Sequence, residues 1–129
     1  MKTAAIWLSG LAAAATAAAC PLAARDGAVV ASGAVQLAWR TEPARIKVGE
    51  PFRLLLTLCP ANATLTALDA TMPEHRHGMN YQAGLQPLGG GRWRADGLLW
   101  HMSGRWEWRF DLSDAAGAPL TLRQAVVLP

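Results

Sequence analysis

The chain has 129 residues, 52% of them apolar and 16% charged, with a formal net charge of +3 when histidine is neutral. Beyond an apolar N-terminal stretch about 100 residues remain, enough for one domain around a single core. The basic residues are scattered and nearly all arginine, so they offer no cluster on which a phosphate backbone could lie, and a nucleic-acid interface is excluded.

Met1-Lys2 is followed by an uncharged, Ala-rich stretch from Thr3 to Ala19 that ends in small residues of the kind signal peptidase accepts. This is the pattern of a secretory signal peptide over residues 1–19. The run is too short and too weakly hydrophobic for a membrane span, which needs ~20 strongly apolar residues. Cleavage could fall after Ala19 or near Ala24. Ala17-Ala18-Ala19-Cys20 is a degenerate form of the lipid-attachment motif, so a lipid anchor at Cys20 stands beside simple secretion. Cys20 and Cys59 are the only cysteines. In an oxidising compartment they could instead form one disulfide, and a small buried thiol at Cys59 is the third alternative. The expected location is periplasmic or secreted, free or membrane-anchored.

Residues 20–33 carry few large apolar side chains and read as a flexible leader to a domain over 34–129. Val35 to Trp39 alternates as a half-buried strand does. Thr41 to Ala44 and Val48 to Pro51 read as turns. Phe52 to Cys59 is the clearest interior strand, with Phe52, Leu54, Leu56 and Leu58 on one face. Leu65 to Thr71 is the next. Gln86 to Gly91 reads as a hairpin connection, and Trp93 to Leu99 as the strand that returns from it. In Arg105 to Leu112, Trp106, Trp108, Phe110 and Leu112 face in and the charges face out, an order that a helix would smear around its circumference. Leu120 to Leu128 is the last strand. About seven strands, with turn signals every ten or so residues and no amphipathic helix, predict an all-β, Ig-like β-sandwich.

All three histidines, and every methionine except Met1, fall in two short segments, Asp69–Tyr81 and Leu99–Trp106. Pro73 and Gly78 bracket the first pair of histidines and disfavour a helix there. If that run is extended, His75, His77 and Met79 project to one side with successive Cα atoms ~6.6 Å apart, close enough for two imidazoles and a thioether to meet one ion. His101 and Met102 are adjacent and face opposite sides of a regular strand. His101 is the better ligand, with Met102 or Met72 as a weak addition. Imidazole and thioether without thiolate suit copper, as Cu(I) or Cu(II), while three imidazoles also make a zinc site. The competing reading is packing, because methionines at a strand corner often fill cores. Packing alone has more difficulty concentrating three His and three Met in two segments. Tyr81, Trp100 and Trp106 are aromatic walls of the site or simply core. No nucleophile motif and no paired carboxylates accompany the histidines, so the expected protein is not an enzyme.

Met72-Pro-Glu-His-Arg-His-Gly-Met79, followed by Gly97-Leu-Leu-Trp-His-Met-Ser-Gly-Arg-Trp-Glu107, resembles the YtkA-like family, small exported Ig-like domains related in pattern to the FixH proteins of cytochrome oxidase assembly. The resemblance covers Ala34 to Leu128. It implies a β-sandwich and a role in handling copper in the bacterial envelope. The residues carried over are His75, His77, Met79, His101 and Met102. Ser103 stands where the family often has Pro, which loosens that corner. The partner expected is an envelope copper protein such as an oxidase or an export pump. The alternative is a metal-free domain that binds another envelope protein.

Overall fold

Period-two burial organises the chain: Phe52, Leu54, Leu56 and Leu58 are buried on one side of their strand, and Trp106, Trp108, Phe110 and Leu112 on one side of theirs. Each buried tryptophan removes roughly 200 Å² from water, an upper limit of ~5 kcal/mol at ~25 cal/mol per Å², so these two rows set the core. The computed structural model describes residues 22–129. The expected signal peptide and Cys20 lie outside the described residues. No helix of the described residues is long and apolar enough to cross a membrane.

Nine strands follow in order: β1 Ala28–Ser32, β2 Val35–Glu42, β3 Pro51–Cys59, β4 Thr64–Met72, β5 His77–Gly78, β6 Gly84–Gly89, β7 Arg92–Leu99, β8 Gly104–Ser113 and β9 Pro119–Leu128. They form two antiparallel sheets, ordered β1-β2-β3-β7-β6 and β5-β4-β8-β9. The order β2-β3-β7-β6 facing β4-β8-β9 is that of the ABED and CFG sheets of an Ig domain, with β1 and β5 added at edges. The chain changes sheets at two places that matter here, Pro60–Ala63 after β3 and Trp100–Ser103 after β7.

Three segments differ from the sequence expectation. Residues 28–32, expected within the leader, are β1, held to β2 from Ala28↔Trp39 to Ser32↔Val35. Its small side chains are only half buried or exposed, so backbone pairing rather than apolar pattern makes it a strand. Gly84–Gly89, expected mostly as connection, is the edge strand β6, where Pro87 is tolerated because an edge has one row of backbone groups without strand partners. The two-residue β5 is the third addition; with the six strands located individually from the sequence, these make nine where about seven were expected.

A bulge in β4 sets which residues face the core near its end. Leu65 pairs with Leu112 and Ala67 with Asp111, so Thr66 is one residue more than β8 can match. Beyond it the phase changes: Leu68, Ala70 and Met72 are buried, and Ala67 and Asp69 are exposed.

Candidate metal centre

The bulge brings Met72 inward, and a side chain directly opposite on a paired strand shares its face. His77 pairs with Met72 and Gly78 with Thr71, so His77 takes the inward face of β5 at the open end of the sandwich. The hairpin between β4 and β5 is tight. The N–H groups of His75 and Arg76 both donate to the Met72 carbonyl, at 3.1 and 2.9 Å, and Arg76 has φ of 54°. His75 therefore sits in a turn, and the extended run expected from His75 to Met79 begins only at His77.

The second segment arrives by a different route. Trp100 is fully buried, whereas His101, Met102 and Ser103 are exposed in the crossing from β7 to β8. The Trp106 indole N–H donates to the Met102 carbonyl at 3.0 Å and pins this crossing. Gly104, with φ of 122°, admits the Met72 methyl: a Cβ there would lie 2.9 Å from Met72 Cε. The two segments thus interlock through Met72, Gly104 and Trp106.

All three histidines meet. The His77 ring centroid is 5.8 Å from that of His75 and 5.1 Å from that of His101. Trp106 forms the wall beneath them, with its ring 5.9 Å from His77 and 5.8 Å from His101, both at steep angles. With metal–nitrogen bonds of ~2 Å, two imidazoles sharing one ion at tetrahedral angles have ring centroids ~5 Å apart. Both observed spacings are close to that.

As placed, no group of three or more His, Cys, Asp or Glu side chains among the described residues could hold a metal ion. The rings are near one another, but as placed they do not form a ready three-ligand group. Backbone position sets the ring spacing, whereas the aim of an exposed ring such as His75 or His101 depends on side-chain torsions. The Nδ1 of His77 lies 3.3 Å from the Gly78 carbonyl oxygen. A carbonyl only accepts, so this contact is a hydrogen bond when Nδ1 carries the proton, which leaves Nε2 to bind a metal.

The methionines separate into different environments. Met72 is 1% exposed and belongs to the core under Gly104. Met79 is partly buried and packs against the core; its N–H donates to the Ala70 carbonyl at 3.1 Å, and it lines a groove with Asp69, Tyr81 and Arg109. Met102 is 36% exposed, beside His101 in sequence. Trp100 and Trp106 are core, and Trp106 is also the wall of the histidine cluster. Tyr81 is exposed, and Arg105 makes no ion pair among the described residues. Gly104 is a position in this corner that spacing alone does not single out: its lack of a side chain leaves room for the Met72 methyl. Compared with known protein families, curated proteins and solved structures, the chain matches none.

Proposed function

We propose that this is an exported, non-enzymatic protein that binds one copper ion between the β4–β5 hairpin and the β7–β8 crossing, and sequesters it or passes it to an envelope copper protein. The observation that carries the reading is the meeting of all three histidines, drawn from two segments far apart in sequence, with centroid spacings of 5.8 and 5.1 Å around His77. His75, His77 and His101 supply imidazole, and the exposed Met102 supplies a thioether at the rim; Met79 stands next, and Met72 serves packing. This donor set accommodates Cu(I) through sulfur and Cu(II) through nitrogen, with zinc as the lesser cargo. The resemblance to the YtkA-like family points the same way.

The absence of a ready three-ligand group among the described residues favours a second reading, a metal-free domain whose histidine end contacts another envelope protein. Titration with Cu(I) and with Cu(II) against a competing chelator separates the two. One-to-one binding that is lost in the His75→Ala/His77→Ala variant, with the fold retained, supports copper. Binding no tighter than the variant's removes the copper reading and leaves the interaction domain.

A further inference from the structure

The outer face of the five-stranded sheet gathers arginines. Arg53 and Arg94 pair with Asp96, Arg109 with Asp111 and Arg123 with Glu107. Arg25, Arg40 and Arg92 make no ion pair among the described residues, yet all three line one cleft of about 310 Å³. Strand register explains the gathering. Arg40 on β2 lies opposite Leu55 on β3, and Arg92 on β7 opposite Thr57 on β3, so the four side chains share the solvent face. The 3₁₀ turn Ala24–Asp26 brings Arg25 and Asp26 to the same cleft, and the bulge in β6 between Pro87 and Gly89 adds Leu88.

Arg94, two residues along β7 from Arg92, shows how a charge on this face is otherwise met. Its Nε donates to Asp96 Oδ2 at 2.7 Å and its Nη2 to Gln86 Oε1 at 2.6 Å. The cleft holds no such counterpart. Its one carboxylate, Asp26, accepts the Ala23 N–H at 2.9 Å, and three guanidiniums against that carboxylate leave a net charge of +2. Arginine stems can shield the half-buried Leu55 and the exposed Leu88 from water. Shielding accounts for the stems, but not for three guanidiniums left without an anion around one space, where like charges repel.

We propose that this cleft binds a phosphate monoester with an apolar body, held by Arg25, Arg40 and Arg92. A phosphate monoester carries a charge of about −1.5 to −2 at neutral pH, which matches the cleft, whereas a carboxylate or a sulfate ester brings only a single charge. The planar fork of guanidinium meets phosphate oxygens in pairs. The Thr57 hydroxyl donates from the floor, and Leu55 and Leu88 offer apolar surface to the rest of the ligand. A cleft of this size takes one phosphate group and gives no track for a polynucleotide. The same chemistry belongs to a soluble ester and to the headgroup of a phosphatidic-acid lipid. The site shares no residue with the histidine end and stands whether or not that end binds copper.

Calorimetric titration with phenyl phosphate, inorganic phosphate and phenyl sulfate tests the site. Phenyl phosphate is expected to bind one to one and more tightly than either control. Arg40→Gln and Arg92→Gln should each weaken it about 10-fold or more, while Arg45→Gln, at an exposed arginine outside this cleft, leaves it unchanged. Arg40 and Arg92 are exposed, so both variants are expected to fold, and urea unfolding checks that they do. Co-sedimentation with phosphatidylcholine vesicles, with and without phosphatidic acid, separates the sources. Binding that needs phosphatidic acid and is lost in the same two variants places the phosphate on a lipid, and phenyl phosphate binding without vesicle binding places it on a soluble ester. Phenyl phosphate held no more tightly than inorganic phosphate or phenyl sulfate, equal weakening by Arg45→Gln, or binding unchanged in Arg40→Gln and Arg92→Gln overturns the proposal.

Discussion

His77 has a histidine ring on either side, at 5.8 and 5.1 Å, and an indole wall at 5.9 Å. This central place makes the three imidazoles unequal. Loss of an outer partner of a ligand already weakens metal binding by about 10- to 100-fold, so His75→Ala or His101→Ala is expected to raise the copper Kd by at least that order, and His77→Ala by more. Chelator-competition titration of the three variants reads the ranking. The methionines divide by burial: Met72→Leu conserves volume in the core, so it should cost less than about 1.5 kcal/mol in urea unfolding and leave copper binding unchanged. The grouping of these residues was legible in their clustering along the chain. The division among the methionines was not, because it depends on the Thr66 bulge, which changes the phase of β4, and on the space that Gly104 leaves for a methyl group.

At the scale of elements, the site hangs on β4 and β8, and β9 braces β8 from outside. On that outer face the Thr121 hydroxyl donates to the Asp111 carboxylate at 2.6 Å and Arg109 Nε donates to it at 3.1 Å. The Thr121 hydrogen bond chiefly, with the Arg109 and Arg123 charges, holds the Asp111 carboxyl below the usual aspartate range, against some opposing desolvation. A carboxyl lowered on folding stabilises the fold above its unfolded pKa, and that contribution is lost as pH falls through the folded value. Stability measured on the acid side of the aspartate range should therefore fall less steeply with pH in Asp111→Asn than in the parent. The strands with strong alternation, β3 and β8, were readable because one face is wholly buried. The edge strands β1, β5 and β6 were not, since backbone pairing rather than apolar pattern makes them, and Pro87 and the neighbouring glycines obscure β6.

For the molecule as a whole, the Ig-type sheet order brings the β4–β5 hairpin and the β7–β8 crossing to one end of the sandwich, which is why segments separated in sequence share a site. Cys59, at the end of β3, is disulfide-bonded, while Cys20, the other cysteine of the sequence, lies outside the described residues. Disulfides in small domains typically contribute about 2–4 kcal/mol, and Cys59→Ser is expected to lower unfolding stability by that order while leaving the histidine end intact. The overall class was legible from turn spacing and alternation, but the meeting of the two histidine segments depends on long-range strand order, which no local pattern encodes. That meeting is the central claim, and X-ray absorption of the copper-loaded protein beside its His101→Ala variant tests it most directly. Three imidazole ligands on one copper ion, reduced to two in the variant, is the expected result. An unchanged copper environment on losing His101 would contradict it, because the ion would then belong to the β4–β5 hairpin alone.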